Sequence, residues 1–157
     1  MDGFLTPKLI NKKQIGFTLI EMLAVISIIS ILAAFAIPAL YSWYSPIKLR
    51  GVQRDLISDL RLTQQKTVTS QKNHLIRFNT SNNSYQLIKK DGGEEIIKTT
   101  FLYSGIDYSS ISLSPLPLEI EFNSAAVPNS TGEIILINGR GEIKKIEISA
   151  SGFVKGD

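Results

Sequence analysis

From Phe17 to Ile47 the chain runs FTLIEMLAVISIISILAAFAIPALYSWYSPI, an apolar stretch whose one charge is Glu21. Phe17 to Ile37 alone is 21 residues. As a helix rising about 1.5 Å per residue, that segment spans about 30 Å, the thickness of a bilayer's hydrocarbon core. The pattern therefore predicts a membrane helix. Beyond Ser45-Pro46 the apolar positions thin to one stripe. Leu49, Val52, Leu56, Leu60, Thr63 and Thr67 recur at steps of three or four, which predicts an amphipathic helix from about 46 to 70. Arg50, Arg54, Arg61 and Gln65 fall on the opposite face, with Asp55 and Asp59 interleaved, and read as a solvated surface.

After Ser70 the period changes from helical to strand-like. Leu75–Phe78 and Tyr85–Ile88 flank the polar Thr80–Ser84 and predict a hairpin. Asp91-Gly92-Gly93 turns into Glu95–Thr99. Leu118, Ile120 and Phe122 alternate with Glu119 and Glu121, so the first set faces a core and the second faces water. Glu133–Ile137 and Glu142–Ile148 are joined by the turn Asn138-Gly139-Arg140-Gly141, and Gly152-Phe153-Val154 closes the series. The Ser- and Pro-rich stretches 103–117 and 124–131 read as loops. The fold class is α+β: a long N-terminal helix, membrane half plus amphipathic half, packed on an antiparallel β-sheet head.

Composition adds exclusions. The 157 residues hold no cysteine, which removes disulfides, thiol nucleophiles and cysteine-ligated metals. Lys and Arg number 17 against 14 Asp and Glu, and setting aside Lys8, Lys12, Lys13 and Asp2 leaves a net of +1. A field that weak argues neither for nor against nucleic acid as a partner. The one histidine, His74, stands between a helix end and a strand start without a second ligand type, which places it at the surface or in a cap. Paired acids such as Glu94-Glu95 fit exposed strand faces. No catalytic, cofactor-binding or metal-binding set emerges, and the chain reads as no enzyme.

The N-terminal arrangement is more informative. A secretory signal places its small-residue cleavage site after a shorter apolar core. Here the small residue, Gly16, precedes the apolar run. A cut after Gly16 leaves the whole helix on the product and creates a new amine at Phe17. Glu21 follows Phe17 by one helical turn, on the same face. A carboxylate in a spanning helix costs about 2.5–3.5 kcal/mol at the bilayer centre and usually has a partner. The Phe17 ammonium, of the same chain or of an axially staggered neighbour, is such a partner. The other reading is a carboxylate hydrated among headgroups. Lys12 and Lys13 lie before the helix, while Lys48, Arg50 and Arg54 follow it, so charge gives orientation only modest support. Pro38 lacks an amide donor and clashes with the preceding turn, which bends the helix there or marks the membrane exit.

Gly16-Phe17-Thr18-Leu19-Ile20-Glu21, after a leader with Lys12 and Lys13, resembles the processing motif of type IV prepilins and type II secretion pseudopilins. The resemblance implies cleavage after Gly16 and N-methylation of Phe17 by prepilin peptidase. It further implies subunit assembly through Glu21 with other pilins or pseudopilins, and a helix bend at Pro38. The C-terminal half, from Phe122 through Gly139-Arg140-Gly141 to Gly152-Phe153-Val154, is similar to the minor pseudopilin H and fimbrial-biogenesis protein T branch. It departs from that branch at Ser124-Ala125-Ala126, where a glycine is usual. Some T-type proteins bind DNA through a Gly-Arg-any-Arg tail. This chain has Gly152-Phe153-Val154-Lys155, so nucleic acid is a disfavoured partner. The implied organisation is a leader at 1–16, a transmembrane and polymerisation helix at 17–43 and a periplasmic head at 44–157. The implied role is a structural subunit of a type IV pilus or secretion pseudopilus, held by inner membrane lipid with its N-terminus cytoplasmic. The alternative is a DNA-binding minor pilin for natural transformation.

Overall fold

The computed structural model describes residues 16–115 and 118–157, without the side chains of residues 38–42. Residues 1–15, where a leader is predicted, and the side chain of Pro38 lie outside the described residues. The chain divides into two compact units, Met1–Leu40 and Tyr41–Asp157. Helix α1 runs Leu19–Ser70, and eight strands follow: β1 Asn73–Asn79, β2 Ser84–Lys90, β3 Glu94–Phe101, β4 Ile106–Ser114, β5 Glu119–Phe122, β6 Thr131–Asn138, β7 Ile143–Ile148 and β8 Val154–Gly156.

In the first unit, Leu19–Ile37 is long and apolar enough to cross a membrane. Every large apolar side chain from Phe17 to Ile37 is exposed, as an isolated membrane helix would be. In the second unit, the strands form two four-stranded antiparallel sheets, in the orders β3-β2-β1-β5 and β4-β6-β7-β8. The stripe read from the sequence is the buried one: Leu49, Val52, Leu56, Leu60, Thr63 and Thr67 are all inaccessible. They pack on Ile76, Phe78, Tyr85, Ile120 and Phe122 of the first sheet and on Ile134, Leu136, Ile146 and Ile148 of the second. Burying side chains of this size stabilises by about 1.5–3 kcal/mol each, the main driving force for the head.

Polar groups of α1 then fix its seat. Gln53 Nε2 donates to Lys145 O at 2.9 Å and to Asp157 O at 2.8 Å, and Gln64 Nε2 donates to Gly152 O at 2.6 Å. Arg61 adds a bond to Val154 O at 3.2 Å. The C-terminal segment is thereby fastened to the helix. Asp59 corrects the sequence reading. It is buried and not on the solvated face: Tyr85 Oη donates to its Oδ2 at 2.7 Å, and Lys98 Nζ bonds both oxygens at 2.9 and 2.7 Å. Burial, with Asp59 alongside, pushes the Tyr85 phenol well above its ordinary range.

Three further expectations are corrected. Stretch 103–117 is not a loop throughout, since β4 occupies Ile106–Ser114. A bulge between Tyr108 and Ser110 shifts the register, so Ile106, Tyr108, Ile111 and Leu113 turn inward out of strict alternation, and the serines between them hide the strand. His74 is not at the surface. It is buried in β1, with Nδ1 2.8 Å from Lys72 O. Glu119 and Glu121 do not simply face water. Arg77 bonds Glu119 at 2.9 Å and Glu94 through two nitrogens at 2.8 Å, while Lys90 bonds Glu121 at 2.6 Å. These pairs span β1, β2, β3 and β5. The Arg77 fork holds the Glu94 carboxyl below its usual value. Burial opposes ionisation of Glu121, but hydrogen bonds from Lys90 and Asn73 outweigh it and leave that carboxyl lowered too.

Of stretch 124–131, residues 124–130 lie outside the eight strands and Thr131 opens β6, and the loop is tethered. Asn123 Oδ1 accepts from Ala125 N and Val127 N, both at 3.0 Å, and Ser130 Oγ donates to Glu119 O at 2.7 Å. The second residue of β6, paired with β4, is a glycine. Gly132 has φ +146°, and a Cβ there would stand 1.9 Å from Ser112 O. The strand pair thus depends on a hydrogen at that position. Gly132→Ala is expected to lower stability by roughly 2–4 kcal/mol, whereas Gly139→Ala stays within about 1 kcal/mol. Urea unfolding of the full chain in detergent, followed by circular dichroism, distinguishes the two.

Candidate functional site

Gly16, Phe17 and Thr18 precede the first turn of α1 without regular secondary structure. Phe17 is 82% exposed, and among the described residues nothing lies within 4 Å of where a Cβ on Gly16 would be. Thr18 is the N-cap residue. Its backbone N donates to Glu21 Oε2 at 2.8 Å and its Oγ1 to the same oxygen at 2.9 Å, while Glu21 N donates back to Thr18 Oγ1 at 3.3 Å. This is a reciprocal capping box. A negative charge here also faces the positive end of the helix dipole.

The box was legible, since threonine followed three residues later by glutamate before an apolar run is its signature. Reading Glu21 only for a cation overlooked Thr18. The two observations are compatible. Both bonds go to Oε2, so among the described residues Oε1 keeps its acceptor sites open. Elsewhere in the helix polarity is internally satisfied: Ser27 Oγ donates to Leu23 O and Ser30 Oγ to Ile26 O, each at 2.8 Å. Glu21 is the one ionisable group from Leu19 to Ile37.

Comparison with known proteins places this site. Residues 11–37 match the family model described as the prokaryotic N-terminal methylation motif. Competence protein ComGD of Bacillus subtilis (strain 168) is 34% identical over 119 residues, covering 76% of this chain and 77% of that protein. The chain belongs to the ComGD family, within the type IV pilin-like superfamily. Solved structures show the same fold for this ComGD-family member. The minor pseudopilin EpsH of the Vibrio cholerae type 2 secretion system matches with a TM-score of 0.59 at 11% identity, over 70% of this chain and 96% of that one. The type IV minor pilin FimU of Pseudomonas aeruginosa matches with a TM-score of 0.58 at 8% identity, over 73% and 92%. The chain is thus a minor pilin-like or pseudopilin-like protein with a long N-terminal helix and antiparallel sheets. Pilin and pseudopilin structural subunits are generally non-enzymatic.

The cap sets a prediction of its own. Thr18→Ala removes the box and is expected to cost the first helical turn about 1 kcal/mol, seen as roughly fivefold faster amide exchange near Glu21 in micelles. Thr18→Ser should retain native exchange.

Proposed function

We propose that this ComGD-family chain is a precursor cut between Gly16 and Phe17 by prepilin peptidase, methylated at Phe17, and assembled as a minor subunit of a filament serving competence. The leader is residues 1–16, the membrane and polymerisation helix 17–43 and the head 44–157. The N-terminus lies in the cytoplasm and the head beyond the membrane. The chain is the peptidase's substrate and contributes no catalytic group.

One observation carries the reading: a lone carboxylate, Glu21, in the first turn of α1, lies four residues after Phe17, where cleavage would release an ammonium. Among the described residues of the uncut chain, the donors to Glu21 are the amide and hydroxyl of Thr18. After cleavage the subunit carries a charge able to neutralise Glu21 of a neighbour shifted along the helix axis. An unpaired carboxylate buried in apolar surroundings is strongly disfavoured, so the pairing selects one stagger between subunits. Assembly is thereby coupled to processing.

The competence name of the relative favours that machine over secretion, for which the support is the fold alone. A nucleic-acid-binding head is the second reading. Against it, Lys155 lies 3.5 Å from Asp157, and Arg61 is engaged with the Val154 carbonyl. Intact-mass spectrometry of the membrane-extracted chain tests the first step. The expected species begins at Phe17 with one added methyl group when prepilin peptidase is active, and at Met1 when it is absent. A chain still beginning at Met1 beside an active peptidase would falsify the precursor reading.

A further inference from the structure

The first two turns of the head-side helix carry a surface that neither the core nor the N-terminal site uses. Trp43, Tyr44 and Ile47 are 74%, 57% and 62% exposed. Just beyond them stand Lys48, Arg50 and Arg54. Lys48 Nζ lies 4.7 Å from the centre of the Tyr44 ring, a cation–π contact. Arg50 and Arg54 are exposed, and among the described residues no carboxylate is within ion-pair distance of either. The first acids in sequence do not compensate them. Asp55 lines a cleft with Val52, Tyr85 and Phe101, and Asp59 is held by Lys98 and Tyr85.

We propose that Trp43, Tyr44, Ile47, Lys48, Arg50 and Arg54 form a collar that binds anionic phospholipid headgroups and fixes the height of the head above the bilayer. The proposal rests on the membrane-anchored reading of Leu19–Ile37. Trp43 follows Ile37 by six residues. That tether reaches about 9 Å as helix and no more than about 20 Å extended, so Trp43 is confined to the neighbourhood of the interface. The order of chemistry matches the order of layers in a lipid surface. Aromatic and aliphatic side chains come first, where amphipathic rings settle at headgroup level, and cations follow, where phosphates lie. At 100° per residue, Trp43, Ile47, Arg50 and Arg54 share one side of the helix while Tyr44 and Lys48 occupy a flank. Only the side bearing Leu49, Val52 and Leu56 is taken by the core. A nucleic-acid duplex, its bases stacked inside, would satisfy the arginines and leave the exposed Trp43 and Ile47 uncovered.

Trp43 is the single tryptophan of the chain and reports directly on the collar. The full chain is reconstituted in phosphatidylcholine vesicles containing an equal mole fraction of either phosphatidylglycerol or phosphatidylcholine with a nitroxide near the headgroup. The expected result is quenching by both, about two- to fivefold stronger with the phosphatidylglycerol label. Substituting Arg50→Gln and Arg54→Gln together should equalise the two labels while flotation with the vesicles is unchanged. Equal quenching in the native chain, or a preference that survives the double substitution, overturns the collar. A chain that fails to float with the vesicles overturns the membrane-anchored reading, and the collar with it.

Discussion

A single carboxylate in an apolar helix is the constraint on which the rest of this account depends. Glu21 stands in a segment whose other side chains offer no charge, in a medium that penalises an unpaired one. The capping box with Thr18 partly resolves the problem by supplying two donors to one oxygen. Among the described residues, the other oxygen and the net charge have no cation beside them. Cleavage beside Phe17 is the chemical event that would provide it, and the proposed function follows from that need.

The head is organised by a different requirement. Its helix must be amphipathic enough to bury Leu49, Val52, Leu56 and Leu60 against two sheets, yet remain continuous in sequence with a segment apolar on every side. Polar groups on the helix's inner surfaces settle how it is seated. Asp59 anchors β2 and β3 through Tyr85 and Lys98, while Gln53 and Gln64 hold the C-terminal segment. A buried carboxylate paired in this way fixes geometry more than it adds stability, because its desolvation offsets much of the attraction. Asp59 thus ties the head-side helix to β2 and β3, and Glu21 closes the cap of the helix's first turn.

Much of this was legible in the sequence because it rests on local periodicity. The apolar run, the stripe from Leu49 to Thr67 and the alternation at Leu118–Phe122 each repeat at the spacing of the element they form. The Gly16 to Glu21 motif was equally legible, as was the turn at Asn138. What escaped depends on long-range pairing. β4 was hidden because a bulge breaks its alternation. The burial of Asp59 and His74 follows from what the strands bring to them, and the division into two sheets depends on register between distant segments. Thr18 differs from these, because its signal is local: a threonine three residues before a glutamate, inside a segment whose charge points to another role.

In the proposed assembly Glu21 acts through its charge, beyond its part in the cap. Glu21→Gln separates the two, because the amide carbonyl still accepts hydrogen bonds from Thr18 while the charge is gone. The decisive measurement is the amount of this variant in sheared filaments relative to the membrane, with its N-terminus determined in parallel. The account predicts a chain cut normally before Phe17, retained in the membrane and depleted from filaments at least about tenfold, the loss expected from removing a charge pair worth roughly 1.4 kcal/mol or more. Incorporation of Glu21→Gln at the native level would contradict it.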